Sequence, residues 1–341
     1  MHFRSLTASD VDRVLPLLRP GGVGAWADAD TFRKGLARGE YRPEWTWMAE
    51  DGGEPCAVAL WWGTPGADRP SVLNTLHVRE AAGSRETRAA LAAQLLTTAH
   101  TAFAASGQDT PPEYHVLLPA DWRDHPETVA GLAWRQEASR RAGLTVPLER
   151  LRYEWTPENG TPRRSDRLRF RPEPDDEVFA HLFRRVLEGT LDVGSRTEAE
   201  RAGAAAQARA DLAFYRDSMQ GDRSWWRIGE TPRGEPVGFT LPSRNTTSHV
   251  VGYLGVLPRH RGHGYVDDLL AETTRLLSAE AGADLIRADT DLPNHPMAAA
   301  FARAGYRNFT HRLVLSAPWR HQDRHASGWA SRAGPILVRS T

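Results

Sequence analysis

The chain of 341 residues repeats one set of landmarks twice, in the same order. Phe3-Arg4 is followed by Val11 and Leu15, and Phe170-Arg171 by Val178 and Leu182, at one constant offset. Each half therefore opens on a short strand that enters an amphipathic helix. Trp45 precedes Gly53-Glu54-Pro55 by the spacing that separates Trp226 from Gly234-Glu235-Pro236, both times between strand-like runs, as in a hairpin. Arg141-Ala142-Gly143 and Arg303-Ala304-Gly305 each close a helix on glycine. A tandem duplication also accounts for a length beyond one ordinary core. Pro157, Gly160 and Pro162 lie among polar residues between the halves, which predicts domains over 1–160 and 161–318. A tail over 319–341, rich in Trp, His and Arg, belongs to neither repeat.

The order predicted for each half is strand, helices, hairpin, strand, long helix, strand, helix, strand. In the second half the strands fall near 168–171, 225–230, 236–242, 250–257, 285–290 and 311–315, with helices over about 175–187, 197–218, 265–281 and 296–304.

Composition narrows the partners. The 43 basic and 43 acidic residues cancel, whereas a binder of phosphate backbones needs a basic excess, so nucleic acid is not the expected partner. The single cysteine, Cys56, forms neither an internal disulfide nor a multi-thiolate metal site, and no metal is expected. No apolar run approaches the roughly 18 residues of a membrane span, and Met1 to Asp10 lacks the pattern of a secretion signal. The expectation is a cytoplasmic protein with no membrane partner.

The stretch that carries chemistry is Tyr253-Leu254-Gly255-Val256-Leu257-Pro258-Arg259-His260-Arg261-Gly262-His263-Gly264-Tyr265, an apolar strand entering a glycine turn and then a helix. Amides of Arg261 to Tyr265 that point outward together, reinforced by the helix dipole, make an anion site suited to a pyrophosphate. Downstream, a strand ending Asp289-Thr290-Asp291 leads to Asn294-His295-Pro296-Met297, then Phe301, then Gly305-Tyr306.

Arg259-x-x-Gly262-x-Gly264 after Val256-x-Pro258 resembles motif A of the Gcn5-related N-acetyltransferases (GNAT), and Asn294 through Gly305-Tyr306 resembles their motif B. The resemblance covers 168–316 by motif and the first half by repeat and layout. It implies an α+β fold of two tandem acetyltransferase-like domains, each a mixed, mostly antiparallel sheet flanked by helices. The fourth and fifth strands should splay, with acetyl-CoA or another acyl-CoA in the gap. By the same resemblance the backbone of Leu254 and Val256 pairs with the pantetheine arm. Arg259 and the amides of Arg261, Gly262, His263, Gly264 and Tyr265 hold the pyrophosphate, and Asn294 touches the pantetheine. A strand amide near Leu254 or Gly255 stabilises the oxyanion. The implied function is an N-acyltransferase, in the first instance an N-acetyltransferase, acting by direct transfer to a small-molecule amine. The alternative is a non-catalytic acyl-CoA-binding or regulatory module. The tandem layout is similar to that of mycothiol synthase in architecture alone, with no shared substrate motif.

Aligning Val78 with Val256 puts Ser84 and Glu86 where Gly262 and Gly264 stand, and Leu132 falls at the place of Asn294. A glutamate repels an anion, so the first half is expected to be catalytically silent. The second half departs from the family pattern at Phe301, where many relatives place an acidic tyrosine; Tyr306 and Tyr253 are the fallback acids or else core aromatics. His249 shares a strand-alternation face with Val251 and Tyr253, which makes it a candidate base or else a solvated strand-end residue. Asp289 and Asp291 bind or deprotonate a cationic acceptor, or serve as turn and capping residues before Pro293. Asp192 is a further candidate near the acceptor, and Asp267 and Asp268 open the long helix.

Overall fold

The computed structural model describes residues 1–19, 23–24, 26–80, 83–245 and 247–318; the tail expected over 319–341 lies outside the described residues. The elements in chain order are β1 (His2–Ser5), α1 (Val11–Val14), α2 (Ala29–Ala37), β2 (Thr46–Asp51), β3 (Glu54–Trp62), β4 (Val72–Val78), α3 (Arg85–Ala105), β5 (Glu113–Pro119), α4 (Pro126–Arg141) and β6 (Val146–Trp155). They continue as β7 (Arg169–Pro172), α5 (Asp176–Val186), α6 (Val193–Ala202), α7 (Ala204–Asp217), β8 (Arg227–Glu230), β9 (Pro236–Arg244), β10 (His249–Val256), α8 (Tyr265–Arg275), β11 (Ile286–Asp291), α9 (His295–Arg303) and β12 (Arg307–Ser316). The helix expected over 197–218 is two, because Gly203 ends α6 and begins α7. The one expected over 265–281 widens into a π-type turn from Leu276.

Two compact units result, and their membership differs from a cut at residue 160. The first contains Met1–Glu149 and the segment beginning at Thr310; the second contains Arg150–Phe309. In the first unit β1, β2, β3 and β4 pair antiparallel in sequence order, β4 meets β5 in parallel, and β5 pairs antiparallel with Thr310–Leu315 of β12. In the second, β7, β8, β9 and β10 repeat that order, β10 meets β11 in parallel, and β11 pairs antiparallel with Arg150–Trp155 of β6. Each unit thus completes its sheet with a strand from the other sequence half. Both sheets are mixed, mostly antiparallel and flanked by helices, as the repeat and motifs led one to expect.

The cores follow from strand alternation. In the first unit Trp61, Leu76 and Val78 pack with Leu95, Phe103, Leu132 and, from β12, Leu313 and Leu315. One face of the second sheet buries Leu151, Tyr153, Trp155, Ile286 and Ala288 beneath Leu270, Leu277 and Phe301 of the α8–α9 side. The other buries Ile228, Phe239 and Leu241 against Phe179, Phe183, Ala208 and Leu212 of α5 and α7.

Candidate active site

The second sheet opens where its parallel pair, β10 and β11, separates. Strand β10 is in register with β11 at His249↔Ile286 and Val250↔Arg287, and no further. Its register to β9 shifts between Val250 and Tyr253. Gly252 sits in that bulge at φ +69°, where a Cβ would lie 2.0 Å from the Leu241 carbonyl oxygen, so only glycine fits. Past the bulge the strand keeps β9 and has lost β11.

The alternation of an antiparallel ladder then decides which backbone groups face the opening. Leu257 N–H donates to Val237 O at 2.9 Å, so Gly255, two residues back, also turns towards β9. Leu254 and Val256 turn their amides to the vacated edge. Gly255 therefore offers no amide to the opening, and of the two strand amides expected for an oxyanion only Leu254 has the right direction. The Val256 carbonyl is taken by Arg261 Nε at 3.1 Å, which leaves its N–H.

Beyond β10 the chain makes the anion turn. Gly262 and Gly264 adopt φ +81° and +74°, and α8 begins at Tyr265. Among the described residues no acceptor takes the N–H groups of Gly262, His263, Gly264 or Tyr265. Their carbonyl side is held from behind: Arg167 donates to His263 O at 3.0 Å and Gly264 O at 3.2 Å, lies over the Tyr265 ring, and pairs with Asp268. The Arg261 side chain reaches the carbonyls of Val186 and Glu188 at 2.7 and 2.5 Å, fastening the turn to the end of α5. Arg259 is exposed and pairs with Glu235 at 2.9 Å. Asp267 pairs with Arg303 at 2.7 Å, so both acids of the first α8 turn are neutralised. Nothing in the linker composition around Arg167 pointed to this role.

Four aspartates lie around the end of β11, the start of α6 and Tyr215. Asp289 lies 3.4 Å from Arg152, and Asp291 lies 3.0 Å from Arg150 while accepting the Val193 N–H at 2.7 Å, which anchors α6. Both arginines come from β6. Asp192 caps α6 through the Ser195 N–H at 2.6 Å. The fourth, Asp211, is buried on α7 and went unnoticed in the sequence, although it interrupts the apolar stripe of Ala208, Leu212 and Tyr215. Its carboxyl is pushed up to about 8 by burial, with Asp192 and Glu198 adding to the rise. Asn294 caps α9, accepting from Met297 N–H at 3.4 Å.

Three expected catalytic residues are placed elsewhere. The bulge breaks the face that His249 was to share with Tyr253: Val251 packs on the α8–α9 side and Tyr253 against Phe183 and Phe239. His249 stays in the paired part of β10 beside Trp225, and five residues of strand put it about 15 Å from Leu254. Burial and Arg244 lower its pKa. Tyr306 is buried beside Phe301 and hydrogen-bonded to Thr274 at 2.7 Å, in the surroundings of a core aromatic. Phe301 stacks on Tyr153 at 4.8 Å.

The first unit repeats the opening, since β4 and β5 pair only at Val72↔Glu113 and Leu73↔Tyr114, but its own side chains fill it. Arg135 donates to Leu76 O from Nε at 3.2 Å and from Nη2 at 3.1 Å, and Leu76 is the counterpart of Leu254. At the start of α3, Ser84 accepts the Thr87 N–H, and Glu86 pairs with Arg141.

Among the described residues no helix is long and apolar enough to cross a membrane, and no group of three or more His, Cys, Asp or Glu could hold a metal. A sequence model described as the acetyltransferase (GNAT) family matches residues 196–306. A GCN5-related N-acetyltransferase from Sphaerobacter thermophilus aligns over 92% of this chain and 94% of its own at 16% identity, TM-score 0.54. The glucosamine N-acetyltransferase region of a fungal multi-domain β-N-acetylglucosaminidase aligns over 92% of this chain and 38% of its own at 13% identity, TM-score 0.51. A tandem GNAT protein of clavulanic acid biosynthesis covers 94% and 99% at 18% identity, with a TM-score of 0.44. No curated protein matches the sequence. The first two solved structures share the fold, and the segment that matches the GNAT acetyltransferase family model, residues 196–306, spans α6 to α9 with the glycine turn, the splayed strand and the motif B helix.

Proposed function

We propose that this chain transfers an acyl group, acetyl in the first instance, from an acyl-CoA to a small-molecule amine, and that the second unit carries the reaction. One observation supports this above the others. Among the described residues, the edge of β10 at Leu254 and Val256 is unpaired and runs straight into a turn whose amides at Gly262–Tyr265 have no protein acceptor. A pantetheine arm would complete the strand edge, and a pyrophosphate would take the amides at the positive end of α8. Bound there, the thioester supplies the activated acyl carbon. The Leu254 amide is positioned to stabilise charge on the acyl oxygen, and Asn294 borders the arm. Asp289, whose charge Arg152 tempers at 3.4 Å, is the carboxylate that would meet an approaching ammonium.

The first unit is read as silent, because Arg135 occupies the strand edge and Ser84 and Glu86 the anion position. Buried Phe301, which puts no hydroxyl where relatives have a tyrosine, favours the second reading of a binding module. Thiol release from acetyl-CoA across a panel of primary amines tests the two. Amine-dependent release supports the transferase; tight binding with none supports the module.

A further inference from the structure

We propose that Asp211 accepts the proton that the acceptor amine must lose before transfer, directly or through one water; this rests on the transferase reading of the second unit. Gln207, Asp211 and Tyr215 are spaced by four residues and share one face of α7. That face leads to the bulge: the Tyr215 hydroxyl donates to Gly252 O at 3.1 Å, and its ring lies 6.1 Å from that of Tyr253. Asp211 stands one turn back. It is 1% exposed; Oδ1 accepts from Gln207 Nε2 at 2.9 Å, whereas Oδ2 is buried with no hydrogen-bond partner among the described residues.

The groups that feel this carboxyl mark where it faces. Tyr215 on its own helix and Tyr253 on β10 are both affected by it, while Asp192 before α6 and Glu198 on α6 act on it. Asp192 adjoins Val193, which Asp291 holds at the end of β11. Asp211 is thus close to Tyr253 of β10 past the bulge and to Asp192 of the α5–α6 connection, one helical turn from the Tyr215 hydroxyl that meets Gly252. A buried oxygen lacking a donor costs stability, so such a position is suited to a donor that arrives with the substrate. His249 is at the wrong end of the strand, and Asp289 and Asp291 are committed to arginines.

The chemistry balances. An acceptor arriving as the ammonium gives one proton to the Asp211 carboxylate. The free amine then forms the nitrogen–carbon bond as the carbon–sulfur bond breaks. Its second proton passes through water to the departing thiolate, and Asp211 later returns its own to solvent. With its carboxyl pushed up to about 8, the carboxylate is the minor form at neutral pH and prevails above 8, so the amine-dependent rate should rise through that range.

The test is amine-dependent thiol release from acetyl-CoA at subsaturating amine between about pH 6 and 10, using amines of different basicity. Asp211→Asn should lower kcat/KM for the amine on the order of 10²-fold and flatten its rise through pH 8, with acetyl-CoA affinity by calorimetry unchanged. Gln207→Met removes a bond that favours the carboxylate, so its inflection should move to higher pH by the same amount for every amine. Should Asp211→Asn fail to fold, the Gln207→Met profile decides alone. A wild-type profile in either variant overturns the proposal. A wild-type chain that binds acetyl-CoA yet releases no thiol with any amine overturns the transferase reading, and this one with it.

Discussion

Arg150 Nε lies 3.0 Å from Asp291 Oδ1, joining the last strand of one sequence repeat to the fifth strand of the other within a single compact unit. Asp291 is 1% exposed, so the pair is sealed on the carboxylate side. Arg150→Met should remove the cationic partner of that buried carboxylate and destabilise the protein by on the order of 3 kcal/mol, read from denaturant unfolding. The same exchange predicts that a fragment 161–318 lacks Leu151, Tyr153 and Trp155 from its core, each burial contributing roughly 2 kcal/mol. It should be unfolded alone by circular dichroism and gain structure when mixed with fragment 1–160. A cooperatively folded isolated fragment would contradict the exchange.

The anion turn depends on left-handed backbone at Gly264, φ +74°. Gly264→Glu adds strain and a like charge for a cost of about 2 kcal/mol or more, roughly thirtyfold in acyl-CoA Kd. Calorimetry on the wild type should give one coenzyme A per chain, because Arg135 fills the other cleft; a stoichiometry of two would refute the silent first unit.

His249→Ala should leave the rate with any amine, and its pH profile, at wild-type values. The histidine is separated from the Leu254 amide by the bulge and by about 15 Å of strand. A loss of tenfold or more in kcat/KM would return it to the site.

Asp211 also makes stability depend on pH. Its folded pKa, about 8, lies above the ordinary carboxylate value near 3.8, so between these the native state holds a proton that the unfolded chain has lost. Its contribution is complete below about pH 4 and disappears as pH rises through 8. Unfolding at pH 5 and pH 9 should show Asp211→Asn gaining on the wild type at the higher pH. Equal differences at both would mean the carboxyl titrates normally.

Much of the second half could be read locally. Helices α5, α8 and α9 declare themselves by apolar spacing, and the turn from Val256 to Tyr265 by two glycines after a strand, since φ at such positions is set by covalent sterics. Asp289, Asp291 and Asn294 were found by their place after the fifth strand. Arg150 and Arg152 carried no such signal, because the aspartates they meet lie in the other repeat.

What the sequence determined by itself is therefore the duplication, the order of elements, the glycine turn and the loss of that turn in the first half. These depend on backbone conformation and on periods of two and 3.6 residues, which neighbouring residues specify. Only the tertiary structure decided that β6 completes the second sheet and β12 the first. Alternation tells a strand which face is buried, but its edge offers the same N–H and C=O groups to any partner. Tertiary structure likewise decided that the bulge at Gly252 separates His249 from Tyr253, that Arg135 fills the first cleft, and that Asp211 is buried. Burial and the proximity of groups distant in sequence set a carboxyl's proton affinity, and neither exists until the sheets close.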